Sequence, residues 1–454
     1  FGGLIVYMIE LFEKFPEVLE KYQDRFRSIL VDEYQDTNMS QSILVNLLAN
    51  KYKNILCVGD LDQGIYSFRN ATIDNILEFE EIYPDYKLYK LEENYRSHKS
   101  ILEVANAIIE NNIFRKAKSL FPTRDSIGNV IVSRYKNHFD EAYNVVSQVK
   151  KLVDGGVSPA EISLMYRNNA NSRALEDALR KLNIPYNLIG GMKFYERKEI
   201  KDMLSYLKVI NNKNDDYSFL RSIQIPRRGV GKTTLEKLKG KDSIMTKILS
   251  GDYKVSKKAQ EWLSSYASIY KKGIELKEKE FHLIIDVIMN ETGLKKQYEE
   301  GSYEEKGRLQ NILELKGVLL EYFKENKTLN DFLTDVTLLL NQEEEKEDRV
   351  TLMTVHASKG LEFQYVFLIA VEEDLFPSFY AKQVEDKNGI EEERRLFYVA
   401  VTRAKEFLAI SHVEERTQWG KTNRMRPSRF LREIPRTSAT FKDLLPPKKF
   451  DTWD

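Results

Sequence analysis

The sequence predicts an α/β fold, a parallel sheet layered with helices and interrupted by an all-helical insertion. Three observations carry this. Short apolar runs rich in β-branched residues recur and stop at polar residues or glycine, as buried parallel strands do. Helical patterns lie between them, the alternation that builds α/β layers. From about residue 196 to 341 the strand signal stops, and Lys/Glu/Leu-rich helical stretches replace it.

In chain order, strands are predicted at 29–31, 54–58, 130–133, 162–166, 350–355, 365–371 and 407–411. Helices are predicted between them at 40–49, 100–111, 140–153 and 170–182, and inside the insertion at 278–289 and 306–323. The pattern divides the chain into 1–89, 90–195, the insertion 196–345, and 346–436. The segments flanking the insertion are expected to share one sheet. The stretch 437–454, with Pro446 and Pro447, reads as an irregular tail.

Composition narrows the functional classes. Seventy Lys plus Arg balance 70 Asp plus Glu, so a polyanion site must be a local patch. One cysteine, Cys57, and five histidines exclude a disulfide framework and a structural zinc site, and fit a reducing, cytoplasmic setting. No apolar run approaches the ~20 residues that span a bilayer, so no membrane partner is expected. Phe1 in place of an initiator Met suggests a fragment.

Three segments carry chemistry. At 29–36, ILVDEYQD delivers Asp32 and Glu33 at the carboxyl end of a strand, where open α/β sheets place their ligands. One such carboxylate can hold Mg²⁺ through its water shell while its neighbour polarises an attacking water, the division of labour in nucleotide hydrolysis. Solvated acids at a strand end would look the same. At 58–71, VGDLDQGIYSFRNA offers Gln63, Tyr66, Phe68 and Arg69. A glutamine can orient water or sense a terminal phosphate, and aromatics beside a cation suit unpaired bases. Core aromatics and a turn glutamine are the alternative. At 91–97, LEENYRS sets Tyr95, a stacking ring, beside Arg96, a phosphate ligand, although a surface salt bridge would give the same pair.

Together and in this order the segments closely resemble superfamily-one DNA helicases of the UvrD/PcrA/Rep type. VDEYQDTN resembles that family's Walker B motif, VGDLDQGIYSFRNA its third motif and LEENYRS its fourth. TVHASKGLEF at 354–363 and EEERRLFYVAVTRAK at 391–405 resemble the fifth and sixth, and GGMKFYERKEIKDMLSYL at 190–207 the entry to its inserted helical subdomain. The resemblance implies RecA-like motor domains. The first would be a remnant at 1–89, and the second would be built from 90–195 and 346–436 around the insertion.

The resemblance also implies ATP and Mg²⁺ as cofactors, and roles for matching residues. Asp32 would serve Mg²⁺, Glu33 the hydrolytic water, and Gln63 the coupling of γ-phosphate to movement. Tyr95 would stack on adenine and Glu362 would lie near the ribose. Arg96 and Arg403 would reach the γ-phosphate, with Arg69 also at the nucleotide; permanent charge and a fixed fork of donors suit arginine there. Tyr66 and Phe68 would stack DNA bases, and His356 would link the nucleotide site to the DNA track.

Some positions depart from the family pattern. Phe68 stands where the family usually has Trp, Gly64 for Ser, Asn70 for Gly, and FGGLI for an acidic segment. No GxxxxGK[ST] phosphate loop precedes Asp32. Gly231-Lys232-Thr233 looks like the end of one, but Pro226 occupies the position of its first glycine. The family commonly has a GIG-type turn here, so the resemblance implies that RRGVGKTTL is a helix-hairpin gripping duplex phosphates, with Arg227, Arg228 and Lys232 as the candidate contacts. Its surroundings are basic: 221–258 holds 11 Lys/Arg and 3 Asp/Glu (11 − 3 = +8), and 421–449 holds 9 and 2 (9 − 2 = +7). Two such runs favour phosphate tracking.

The resulting reading is an ATP-dependent 3′–5′ DNA helicase or translocase, N-terminally truncated, acting on single-stranded DNA and single/double-strand junctions. Without a phosphate loop, these 454 residues alone are expected to turn over ATP negligibly. The alternative is a non-hydrolysing DNA-binding or interaction module.

Overall fold

The computed structural model describes residues 2–67, 71, 74–124, 128–189, 193–238, 240, 242–251, 253–340, 348–383, 388–418 and 421–445. Phe68 and Arg69 lie outside the described residues.

The chain begins with a small α/β unit. Strands β1 (Ile29–Val31) and β2 (Ile55–Cys57) pair in parallel, Ile29 beside Ile55 and Val31 beside Cys57. The connecting helix, Met39–Ala49, starts at a capping box: the Asn38 side chain accepts from Gln41 N at 3.0 Å, and the Gln41 side chain accepts from Asn38 N at 2.9 Å. Leu30 and Leu56, the middle residues of the two strands, are 74% and 53% exposed, so one face of this sheet is bare. A two-residue pair follows, β3 (Glu93–Asn94) with β4 (Phe121–Pro122).

The remaining strands form an eight-stranded sheet: β5 (Asn129–Asn137), β6 (Ile162–Tyr166), β7 (Tyr186–Ile189), β8 (Val350–Thr354), β9 (Phe363–Leu368), β10 (Ala404–Gln418), β11 (Lys421–Arg424) and β12 (Thr440–Asp443). Their order is β12-β5-β10-β9-β6-β8-β7, with β11 folded back antiparallel on β10. β8 lies between β6 and β7, with Thr351 beside Ser163 and Val350 beside Tyr186, so strands from before and after the insertion alternate in one sheet. All pairs but β10–β11 are parallel, as expected of helical crossovers. Apolar cores cover both faces. One joins Val132, Leu368 and Leu408 to helices Lys99–Ile109 and Asn388–Val401; the other joins Leu164, Leu352 and Phe367 to helices His138–Asp154 and Ser172–Lys181. Burial on both sides explains the continuous apolar runs, each large side chain contributing ~1.5–3 kcal/mol.

Between β7 and β8 the described residues form helices and turns, from Lys198–Asn211 to Leu329–Leu340, with no strand. They enclose a core of their own, including Phe194, Phe219, Trp262, Tyr266 and Phe332. A Cβ on Gly273 would come within 2.6 Å of Ile210, so glycine is what lets helix Lys257–Lys277 approach Lys198–Asn211 so closely. Helix Tyr303–Lys324 seats the insertion on the large sheet's flank through buried Arg173, which meets Glu314 at 3.4 Å and Glu321 at 3.2 Å. Burial pushes the Glu321 carboxyl up to about 7 despite that arginine.

Three expectations need correction. The stretch 437–454 is not wholly irregular, because Thr440–Asp443 forms the edge strand β12, with Phe441 beside Val132 and Arg436 stacked 3.7 Å over the Phe441 ring. An edge strand with one apolar residue has no periodic signal to read. The predicted helix at 278–289 breaks: Lys257–Lys277 ends before it, and a 3₁₀ turn at Phe281–Leu283 precedes Ile284–Glu291. β7 had no predicted counterpart, since its four residues lie between Pro185 and Gly190 and include the polar Asn187.

Candidate functional site

Parallel pairing of β1 with β2 brings two strand ends together. Asp32 and Glu33 follow β1, and Gly59 and Asp60 follow β2. Glu33 takes a left-handed backbone (φ 50°), with its N–H donating to Asp32 Oδ1 at 2.9 Å, and both acids face solvent. Such a conformation is costly for a non-glycine residue and recurs at functional turns. The buried Gln35 braces the turn, accepting from Asp60 N at 2.8 Å while its amide donates to Glu33 Oε2. A side chain on Gly59 would collide with Gln35 at 2.7 Å, which explains the glycine.

Residues of the large-sheet unit reach across to these ends. Lys359, 8% exposed, donates to Asp36 Oδ2 at 2.6 Å and to the Gln63 carbonyl at 2.9 Å, and pairs with Glu33 at 3.4 Å. Its ammonium also sits 5.3 Å over the Tyr66 ring. Burial nevertheless raises the Asp36 carboxyl above its usual range, and its Oδ1 has no partner among the described residues. Arg403, at the end of helix Asn388–Val401, is 2% exposed; it donates to the Val399 carbonyl at 3.0 Å, the Leu361 carbonyl at 3.2 Å and Gln63 Oε1 at 3.4 Å. Desolvation, with Arg96 nearby, lowers its pKa to about 10, so it stays charged at neutral pH. Gln63 donates to Asp60 Oδ2 at 2.7 Å.

Beside them, Arg96 donates to Glu362 Oε2 at 2.5 Å, and Lys405 pairs with Glu362 Oε1 at 2.7 Å. Those two cations, Lys405 first, hold the Glu362 carboxyl at about 2. Tyr95 is 68% exposed, an open ring anchored by its hydroxyl on Glu93 at 2.8 Å. A buried clamp fixes the two units to each other: Arg115 grips Asp62 at 3.1 and 2.8 Å.

A chain of contacts thus links Glu33, Gln63, Arg403, Arg96 and Glu362 across the two units, with Asp32 and Tyr95 next to Glu33 and Arg96 in the chain and Tyr66 under Lys359. Tyr66 donates its hydroxyl to the His356 carbonyl at 3.4 Å, and His356 also lines a cavity of about 1500 Å³ between the large sheet and the insertion. Arg227, Arg228 and Lys232 lie elsewhere, in the insertion. Gly229 turns the chain there with φ +83°, and helix Lys232–Leu238 follows, with no strand before it. Arg227 is exposed; Arg228 stacks 4.9 Å over Trp262 and bonds the Thr292 carbonyl, so the insertion already engages it. Lys359, Arg115 and Lys405 escaped the sequence reading. The first sits inside TVHASKGLEF, and only its reach to a partner more than 290 residues away distinguishes it from any loop lysine.

Two α/β units meeting at their strand ends, with basic residues of one buried against acids of the other, define a RecA-like motor architecture. Two family models match it: the UvrD/REP helicase N-terminal domain over residues 1–84 and the UvrD-like helicase C-terminal domain over 89–415. The chain belongs to the UvrD-like helicase family. The ATP-dependent DNA helicase PcrA of Staphylococcus aureus (strain Mu50) is 44% identical over 448 residues, 96% of this chain and 61% of that protein. PcrA of Staphylococcus epidermidis (strain ATCC 35984) is also 44% identical, over 96% of this chain and 62% of that protein. The chain therefore spans a little over three fifths of the length of these relatives. Among the described residues, no helix is long and apolar enough to cross a membrane.

Proposed function

We propose that the chain supplies the hydrolytic acids, the second-domain arginines and part of the DNA track of an ATP-dependent 3′–5′ DNA helicase or translocase. One observation carries this reading: Lys359 and Arg403 of the large-sheet unit are buried against Glu33, Asp36 and Gln63 of the small one, so the two units share a single polar cleft. The donor set fits a magnesium nucleotide, since two exposed carboxylates stand at a strand end opposite two guanidinium groups and one buried Asp36 oxygen lacks a partner among the described residues. ATP with Mg²⁺ supplies a phosphoryl group whose transfer to water releases the driving free energy.

Asp32 would hold the Mg²⁺, and Glu33 would accept a hydrogen bond from the hydrolytic water. Arg96 and Arg403 stabilise charge on the phosphoryl oxygens, where catalysis is mostly positioning and electrostatics. Tyr95 would offer its open ring to adenine and Glu362 would serve the ribose; a nucleotide-binding role is likewise proposed for Arg69, which lies outside the described residues. Gln63, touching both Asp60 and Arg403, relays the state of the nucleotide, and Lys359 carries it toward Tyr66. Tyr66, Phe68 and His356 contact single-stranded DNA, while Arg227, Arg228 and Lys232 contact duplex. The functional units are 1–89, 90–195 with 346–436, and the insertion 196–345.

The test is ATP hydrolysis by the protein at its full natural length. Turnover stimulated by single-stranded DNA and lost in Glu33→Gln is the expected result. Strand binding without any turnover would favour a non-hydrolysing DNA-binding module instead.

A further inference from the structure

The carboxylate that follows β2 makes contacts that the roles above leave unexplained. Asp60 opens the 3₁₀ turn Leu61–Gln63: its Oδ1 accepts from Asp62 N–H at 2.9 Å and its Oδ2 from the Gln63 amide at 2.7 Å. A side-chain amide donates from its nitrogen and accepts at its oxygen. With the nitrogen committed to Asp60, the oxygen is the end that meets Arg403 at 3.4 Å. Asp60 therefore sets which end of Gln63 faces the arginine.

A second acid crowds Asp60. Asp62 is 1% exposed, and burial first, with the Asp60 charge after it, pushes its carboxyl above the usual range. Two carboxylates this close need counter-charge, and one loop of the large-sheet unit supplies it. Arg115 grips Asp62, while the Lys118 ammonium pairs with Asp60 Oδ1 and lies 3.8 Å from Asp62. The Arg115 guanidinium also donates to the Lys118 carbonyl at 3.1 Å, which ties the two cations to each other. The Lys118 and Asp60 side chains are each 21% exposed, so water screens their pairing only in part.

The loop carrying both cations, residues 112–118, is braced on helix Asn388–Val401. Buried Glu391 accepts from the N–H groups of Ile113 at 2.9 Å and Phe114 at 3.3 Å. Arg394 donates to Asn112 Oδ1 at 2.7 Å, and Arg395 to the Phe114 carbonyl at 3.3 Å. Arg403 follows the other end of the same helix. One helix thus delivers Arg403 to the oxygen of Gln63 and, through the loop, Lys118 to the acid that holds its nitrogen.

We propose that Lys118 is a positioning residue for ATP turnover, acting through Asp60 to keep the Gln63 amide oxygen turned toward Arg403. This rests on the reading of Gln63 and Arg403 as parts of the hydrolytic cleft. Without the lysine, Asp60 faces Asp62 with no counter-charge of its own, the carboxylate turns from Gln63, and the amide loses its fixed orientation. The nucleotide contacts assigned to Tyr95, Arg96 and Glu362 do not run through Lys118, so the loss falls on kcat and spares KM.

The test is single-stranded-DNA-stimulated ATP turnover by the protein at its full natural length, in the parent, Lys118→Ala, Gln63→Ala and the double variant, with folding checked by circular dichroism. Lys118→Ala should lower kcat roughly tenfold or more with KM for ATP within about twofold of the parent, and Lys118→Arg should recover most of the loss. In the Gln63→Ala background, Lys118→Ala should cost nothing further, because a residue acting through Gln63 has no effect once that side chain is gone. Lys118→Gln, which removes the charge and keeps most of the length, takes the place of an alanine variant that fails to fold. Parental kcat in Lys118→Ala, or losses that add in the double variant, overturns the positioning role while leaving the hydrolytic reading intact. A parent that hydrolyses no ATP overturns that reading and the positioning role with it.

Discussion

The two parallel sheets of this protein present the same chemistry from unequal foundations. In the large sheet, β9 and β6 are covered on both faces, and Phe367 is 1% exposed against Phe407 and its neighbours. In the small sheet, Leu30 and Leu56 face solvent. Yet the acids that would do hydrolysis stand on the small sheet, and the cations that meet them stand on the large one. The small unit is joined to its partner by polar contacts and by Ile65, which is buried in the large sheet's core, a different physical basis from the sheet it faces.

That comparison can be broken from the large side first. Phe367→Ala should cost ~3–5 kcal/mol and lower the main urea or thermal transition, whereas Leu56→Ala, at an exposed position, should cost under ~1 kcal/mol. Equal losses would mean that the small sheet is as well packed as the large one. The next effect lies at the clamp. Arg115→Ala leaves the Asp62 carboxylate buried with only Lys118 at 3.8 Å, and Asp62 is already pushed above its usual range by burial. Removing one partner of a buried pair costs ~3–5 kcal/mol, here toward the lower end because Lys118 remains. Hydrogen exchange should quicken in β1 and β2 while the large sheet stays protected. Uniform loss of protection would show instead that the two units unfold as one.

What the sequence made legible follows the same division. The large sheet's strands are continuous apolar runs because both faces are buried, and the insertion is visible because it lacks them. The acids at β1 and the arginines of the LEENYRS and VTRAK segments could be read from motif order alone. The cleft itself could not: the contacts of Lys359 to Gln63, Arg403 to Gln63 and Arg115 to Asp62 span dozens to hundreds of residues, and no local periodicity encodes them. Nor could β12, whose single apolar residue finds its place only because β5 offers an edge. Arg228 illustrates the converse. Its basic neighbourhood was readable, but its packing on Trp262 was not.

On the proposed function, side chains crossing between the two units tie nucleotide to DNA. Its most direct test is the Kd of the protein at its full natural length for labelled oligothymidylate, with and without a non-hydrolysable ATP analogue, in the parent and in Arg403→Lys. Lysine keeps the charge but loses the planar fork that meets Gln63 and two carbonyls at once. The account predicts that the analogue shifts the parent's Kd by roughly 5- to 150-fold, and that this shift collapses in Arg403→Lys while the analogue-free Kd is unchanged. A parent Kd indifferent to the analogue, or a shift that survives in Arg403→Lys, would contradict it.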